Sequence, residues 1–232
     1  MKITNLKKSV GDFCLDIQDL VMENGKIHGL IGANGCGKTT LSKLIMGIHQ
    51  SDEGTIDFQG IDSLDCTMIT QRPYLLHKTV EQNLIYPLKL REKTVDEAEL
   101  EKWLDICGLK EKKKQYARSL SSGERQKLSF ARALIFSPKL IIVDETFSNL
   151  DPDSVHMFQE LIKARQKENP VTWIIISHQL VLIRNLCDQV HFLESGKHVV
   201  SGPTEDILLS PTNEAVCKFL EATEVSFRNE NK

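Results

Sequence analysis

The chain has 232 residues, enough for one domain with a sizeable core, and 41% of them are hydrophobic. A formal net charge of −3 excludes the basic footprint that direct nucleic-acid binding needs. The six cysteines form no C-x-x-C pair and show no zinc spacing, which fits scattered thiols in a reducing compartment; no run is apolar for the length of a signal peptide core or a bilayer.

In chain order, "KITNLKK", "FCLDIQDLVM" and "GTIDFQG" read as antiparallel strands punctuated by glycine and asparagine. "KIHGLIG" (26–32) reads as a buried strand, and the run Leu41, Leu44, Ile45, Ile48 then predicts a helix with one apolar stripe. Residues 73–119 turn helical, with "TVEQNLIYPLKL" and "VDEAELEKWLDICGL" as two helices of an inserted subdomain rather than a linker. The lysine-rich "LKEKKKQ" (109–115) reads as a solvated helix end or loop. Leu128, Ala131 and Ile135 mark another apolar stripe. "KLIIVDE" (139–145) and "VTWIIISH" (171–178) are two further buried strands, whose unbroken Ile/Val/Leu character suits a parallel sheet covered on both faces. The alternation defines an α/β class, with residues 1–222 as one domain and 223–232 as a frayed tail.

"GLIGANGCGKTT" carries the P-loop pattern G-x-x-x-x-G-K-[ST] between a buried strand and an amphipathic helix. Gly32, Gly35 and Gly37 let successive backbone N–H groups, from Gly32 through Ala33, Asn34, Gly35, Cys36, Gly37 and Thr40, turn inward around phosphates. Lys38 brings an ammonium to the β- and γ-phosphates, Thr39 a hydroxyl for Mg²⁺, and Cys36 fills a variable position. A chance glycine-rich turn does not explain four specified positions at fixed places in a stretch of eight in that setting. "LIIVDE" ends a buried strand in Asp144, a Mg²⁺ ligand through water, and Glu145, a carboxylate that can polarise an attacking water. Two exposed acids ending a strand would be the bland reading without the P-loop. His178 closes the strand "VTWIIISH", and Gln71 in "MITQRP" offers a neutral amide to Mg²⁺ or water.

"LSSGERQ" (120–126) is a polar turn opening a helix, which by itself suits either an anion or a simple helix cap. The ordered set "GANGCGKTT", "TQRP", "LSSGERQ", "LIIVDE", "SNLD" and "ISHQ" resembles the nucleotide-binding subunits of ABC transporters over residues 1–202. The resemblance implies an ABC ATPase fold: a P-loop NTPase core with a mainly parallel sheet, an N-terminal antiparallel β subdomain and the helical insertion. It makes Lys38 and Thr39 the Walker A pair, Gln71 the Q-loop glutamine and a metal ligand, Asp144 and Glu145 Walker B with its base, residues 148–151 the D-loop with Asp151 at the nucleotide, and His178 the switch histidine. It also implies two such subunits pairing head to tail, so that Ser121, Ser122 and Gly123 contact ATP held by the other P-loop.

Three positions depart from that family's usual pattern: Ser122 stands for a second glycine, Glu124 for glutamine, and Thr146 for a proline that would stiffen the turn after Glu145. The adenine-stacking place falls to Phe13 or Val10. The segment after Gln71 resembles the importer type, with Tyr74, Leu75 and Leu76 either facing a membrane permease's cytoplasmic helix or packed as core, and its wording is most similar to subunits for tungstate or molybdate import. The implied partners are a second copy, an integral permease and, indirectly, a solute-binding protein, at the cytoplasmic face of the cell membrane. A soluble ATPase of iron–sulfur assembly is the alternative; a small-molecule kinase is opposed by "LSSGERQ" with "SNLD".

Overall fold

The computed structural model describes residues 1–230, with 148, 149 and 224–230 described by backbone alone. In chain order it forms β1 (Lys2–Val10), β2 (Phe13–Val21), β3 (Ile27–Ile31), α1 (Lys38–Ile45), β4 (Glu53–Asp57) and β5 (Cys66–Thr70). Then come α2 (Val80–Leu84), α3 (Tyr86–Leu90), α4 (Glu97–Ile106), α5 (Ser122–Leu134), β6 (Leu140–Asp144) and α6 (Pro152–Glu168). The chain closes with β7 (Thr172–Ile176), α7 (Leu180–Leu186), β8 (Gln189–Glu194), β9 (Lys197–Pro203), α8 (Thr204–Leu208) and α9 (Glu214–Glu230). It divides into two compact units, residues 1–60 with 170–232, and residues 61–169.

The first unit holds two sheets. One is antiparallel in the order β2-β1-β4, as its three N-terminal segments predict. Ile3, Leu6, Leu15, Ile17 and Leu20 point to its buried face at a period near two. In the other, β3 pairs in parallel with β7 on one side and β8 on the other, and β9 lies antiparallel against β8. Every residue of β3 and β7 is buried, which is why both read as continuous apolar runs. Leu41, Leu44 and Ile45 of α1 are buried, but Ile48 is not on their stripe. Gly47, at φ +66°, ends the helix and turns Ile48 out to solvent.

In the second unit β5 and β6 run parallel, and the helices form their own core. Val80, Leu84, Leu88, Leu100 and Leu104 pack with Leu128 and Ala131 of α5 and with Ile135 at its C-cap, so the inserted helices are built onto α5. The single helix read from "TVEQNLIYPLKL" is two, α2 and α3, with Pro87 in the first turn of the second. Proline has no N–H to donate, so one helix cannot run through it unbroken. The lysine run is likewise not merely solvated. Lys112 pairs with Glu124, Lys113 with Glu97 and Glu101 at 2.6 Å each, and Lys114 with Glu81, tying three helices together.

All six cysteines are free thiols, and burial raises the Cys66 thiol to about 11 and the Cys107 thiol to about 12. No described helix is long and apolar enough to cross a membrane. Helix α9 continues through Glu230, into the stretch expected as a tail, because no glycine or proline interrupts it from Glu214 onward; residues 231 and 232 lie outside the described residues.

Candidate functional site

In the first unit, β3 delivers the chain to a glycine-built loop. Gly32 has φ +145°, and a Cβ there would lie 2.1 Å from the Leu193 carbonyl oxygen, so no other residue fits. Gly35 and Gly37 also sit at positive φ, 78° and 110°. Gly37 then occupies the N-cap of α1 without a side chain to cap it, leaving the helix's first N–H groups directed to the loop. Lys38 is buried, and its Nζ donates to the carbonyls of Gly32 at 2.7 Å and Ala33 at 3.0 Å, which spans the ammonium across the loop. Ala33, Asn34 and Gly35 are exposed at the rim, while Thr39 and Thr40 lie in the first turn of α1. Cys36 is buried beneath Lys38, as a filler residue would be.

Two more predicted residues belong to this unit. Val10 and Phe13 pair across the tip of the β1–β2 hairpin, and a Cβ at Gly37 would meet the Phe13 ring at 3.0 Å. Phe13 therefore touches the loop itself, whereas Val10 is half exposed beside it. His178 follows β7, whose register sets Ile176 opposite Leu30; two residues further on, His178 and Gly32 leave the sheet at the same end. His178 is exposed, and Ser177 Oγ accepts the Gln179 N–H at 3.0 Å to turn the chain there.

The second unit brings together Gln71, Asp144 and Glu145. Thr70 pairs with Asp144 in the β5–β6 register, so the next residues, Gln71 and Glu145, emerge at one carboxyl end. Asp144 is 8% exposed. Glu145 takes a left-handed conformation, φ +48°, which costs a non-glycine residue about 1 kcal/mol and is a common mark of functional positions. Thr146 was expected to loosen the turn that follows. Instead its buried hydroxyl donates to the Ile69 carbonyl at 3.2 Å, with the Asp144 carbonyl at 3.3 Å, and ties the turn to β5. A hydroxyl here does by hydrogen bonding what a proline ring does by covalent restriction.

The "LSSGERQ" turn is the start of α5. Ser121 is the N-cap: its Oγ accepts the Glu124 N–H, and the Glu124 carboxylate accepts the Ser121 N–H at 2.9 Å. The hydroxyl accepts in this contact and keeps its own hydrogen to donate, so capping leaves it able to bind an anion. Lys112 holds the Glu124 carboxyl below its usual range, with the Ser121 N–H adding to it. Ser121 and Ser122 are exposed, and a Cβ added at Gly123 would meet nothing within 4 Å. Asp151 caps α6 through Ser154, with its Oδ1 accepting the amide at 2.8 Å and its Oδ2 the hydroxyl at 2.6 Å. These bonds lower its carboxyl below the usual range.

Sequence reasoning missed the groups that position Gln71. Gln126 Nε2 donates to the Thr70 carbonyl at 3.2 Å, fastening α5 to the end of β5. Asn83, fully buried, accepts the Leu76 N–H at 2.8 Å and donates to carbonyls of the same loop, while Arg132 donates to the Tyr74 carbonyl at 2.7 Å. The sequence signal was an asparagine on the apolar stripe of a short helix, beside Val80 and Leu84. A cavity of about 780 Å³ opens beside this loop, lined by Gln71, Arg72, Leu75, Arg118, Ser122 and Arg125. Of Tyr74, Leu75 and Leu76, expected either at a partner-facing groove or in the core, none is fully buried. Tyr74 is 75% exposed, Leu75 leans on the helical core, and the cavity lining is about half polar and half apolar.

A phosphate loop after one buried parallel strand, and a pair of acids at the carboxyl end of another, define a P-loop nucleotide-binding protein. Residues 15–148 match the family described as ABC transporter. The tungstate uptake system ATP-binding protein TupC of Peptoclostridium acidaminophilum is 38% identical over 202 residues, 84% of this chain and 94% of that protein. The methionine import ATP-binding protein MetN of Corynebacterium glutamicum is 32% identical over 234 residues, 94% of this chain and 65% of that protein. The solved structure of cbiO1 from Clostridium perfringens, part of the ABC transporter complex cbiONQ, superposes with a TM-score of 0.74 at 25% identity, over 90% of each chain. This chain belongs to the ABC transporter family and is one of its ATPases.

Proposed function

We propose that the chain is the ATP-hydrolysing subunit of an importer, and that it works as a pair in which each copy completes the other's nucleotide site. The observation that carries the pairing is Gly123. It lies partly exposed in the first turn of α5, has no neighbour that demands a glycine, and stands two residues after Ser121, whose hydroxyl can still donate. A bare backbone there has no use inside the chain, but it admits a phosphate group at hydrogen-bond distance from α5. Ser121, Ser122 and Gly123 are then the half-site presented to ATP on the partner's P-loop, with Asp151 beside it.

In this reading Gly32 to Thr40 wrap the triphosphate, and Phe13 lies along the loop where the base enters. Asp144, Thr39 and Gln71 offer carboxylate, hydroxyl and amide oxygens, a donor set that suits a hard cation such as Mg²⁺. When bound, Mg²⁺ neutralises phosphate charge. Glu145 orients and deprotonates the attacking water, and His178 donates to the γ-phosphate. Closure of the pair on ATP and release after hydrolysis move an integral permease docked beside Gln71, at the inner face of the membrane, with a solute-binding protein delivering cargo.

The relatives named for tungstate uptake and methionine import support the importer reading, and the first of them supports a small oxyanion as cargo. They give no support to the iron–sulfur assembly alternative. Ser121→Arg tests the pairing. Hydrolysis should fall at least about tenfold, while ATP binding by the isolated monomer stays within about twofold, a shift below roughly 0.5 kcal/mol. Loss of monomer binding as well would place Ser121 in its own copy's site and contradict the pairing.

A further inference from the structure

Away from the nucleotide loop, the first unit buries a chain of imidazoles. His28 on β3 and His191 on β8 are both fully buried, with Nδ1 of the first 2.9 Å from Nε2 of the second. His28 Nε2 lies 2.8 Å from the Glu23 carbonyl oxygen. His191 Nδ1 lies 2.6 Å from Ser201 Oγ, its register partner on β9. The same hydroxyl is 2.6 Å from His198 Nε2, and His198 Nδ1 is 2.9 Å from the Asp19 carbonyl oxygen of β2. Four strands thus meet in one continuous line that begins and ends on a backbone carbonyl.

That line has five contacts, and both ends can only accept. Each neutral imidazole supplies one N–H and the serine one O–H, so three histidines and Ser201 supply four hydrogens. Whatever tautomers are chosen, one contact is left with two lone pairs face to face. Adding a single proton gives every contact a hydrogen. Adding a second leaves one donor more than the line has acceptors, and at the His28–His191 end, which is buried, it would face another donor.

We propose that His28, His191, Ser201 and His198 form a binding site for one proton, shared along the line and entered from the surface through Ser201 and His198. Ser201 is exposed and His198 half-buried, so water reaches that end. The charged groups around the line are few: the Glu23 and Asp188 carboxylates and the Met1 ammonium at His28, and the Asp19 carboxylate at His198, while His191 faces the other two rings. Burial pushes all three imidazoles below their ordinary value, His191 furthest, so the proton enters on the acid side of histidine's usual range. His28 lies on the strand that runs into Gly32, so the bound proton pins β3, the strand that carries the phosphate loop, to its neighbours.

Ring-nitrogen NMR of the whole histidine-labelled chain, from about pH 8 to about pH 5, tests this. His49, His77, His156 and His178 are exposed and lie outside the line, so their signals serve as references. The three rings of the line should shift together at one midpoint, with a combined change of one proton. Ser201→Ala leaves His28 and His191 two contacts for two hydrogens, and His198 one for one. In that variant the two buried rings should stop shifting while His198 titrates alone. Static buried rings in the unaltered protein, no effect of Ser201→Ala, or loss of the fold before any of the three titrates would each overturn the proposal.

Discussion

Glu145 shows what a single residue carries here. Its carboxylate follows a fully buried strand, yet its backbone is held left-handed, at φ +48°, with Thr146 fixed behind it. Such a posture is retained against its cost when the side chain must point in one direction. Glu145→Gln keeps the shape of the side chain and removes its ability to take a proton. Turnover should fall by about 10²–10⁴ while ATP still binds, as read by phosphate release beside nucleotide titration. Unaltered turnover would remove Glu145 from the role of base. The identity of such residues was readable: Lys38, Asp144 and Glu145 stand at fixed spacing from strand ends, and spacing is written in the chain. The left-handed backbone was not, nor the hold of Asn83 and Arg132 on the loop after Gln71, because those depend on groups brought together only by folding.

Among the elements, α5 joins local coding to tertiary packing. Its start is coded locally by the Ser121–Glu124 capping box, and its apolar stripe is coded by period. What the stripe packs against was not legible, since Val80 and Leu100 lie far off in sequence, the first on a helix whose limit Pro87 obscured. The lysine run is the solvated loop expected, but its ion pairs were not legible, for the same reason. Charge by itself says solvated, and only the positions of Glu81, Glu97, Glu101 and Glu124 make it a clasp. The turn from β6 into the following 3₁₀ segment is the element most open to test. Thr146→Val removes the hydroxyl that ties it to β5 and should cost about 0.5–1.5 kcal/mol, a fall in melting temperature of a few degrees for a chain of this size. An unchanged melting temperature would mean that the hydroxyl does not hold the turn.

For the whole molecule, the mixed α/β class and the antiparallel N-terminal sheet follow from strand patterning, whereas β8 and β9 went unread. Their sequence, "QVHFLESGKHVVSGP", interleaves histidine, serine and glycine with apolar residues and gives no clean period. Two of the three histidines of the buried line sit in that stretch. The central claim concerns more than one molecule. Ser121 is exposed and Gly123 partly so, at a helix start where an added Cβ would meet nothing, and this is the observation behind the proposal that the pair, and not the single copy, is the catalytic unit. The direct measurement is the rate of ATP hydrolysis per molecule as the protein is diluted through the association range. The account predicts that this rate falls steeply with dilution, in step with loss of the dimer seen by sedimentation. A rate per molecule that stays constant where every copy is alone would contradict it.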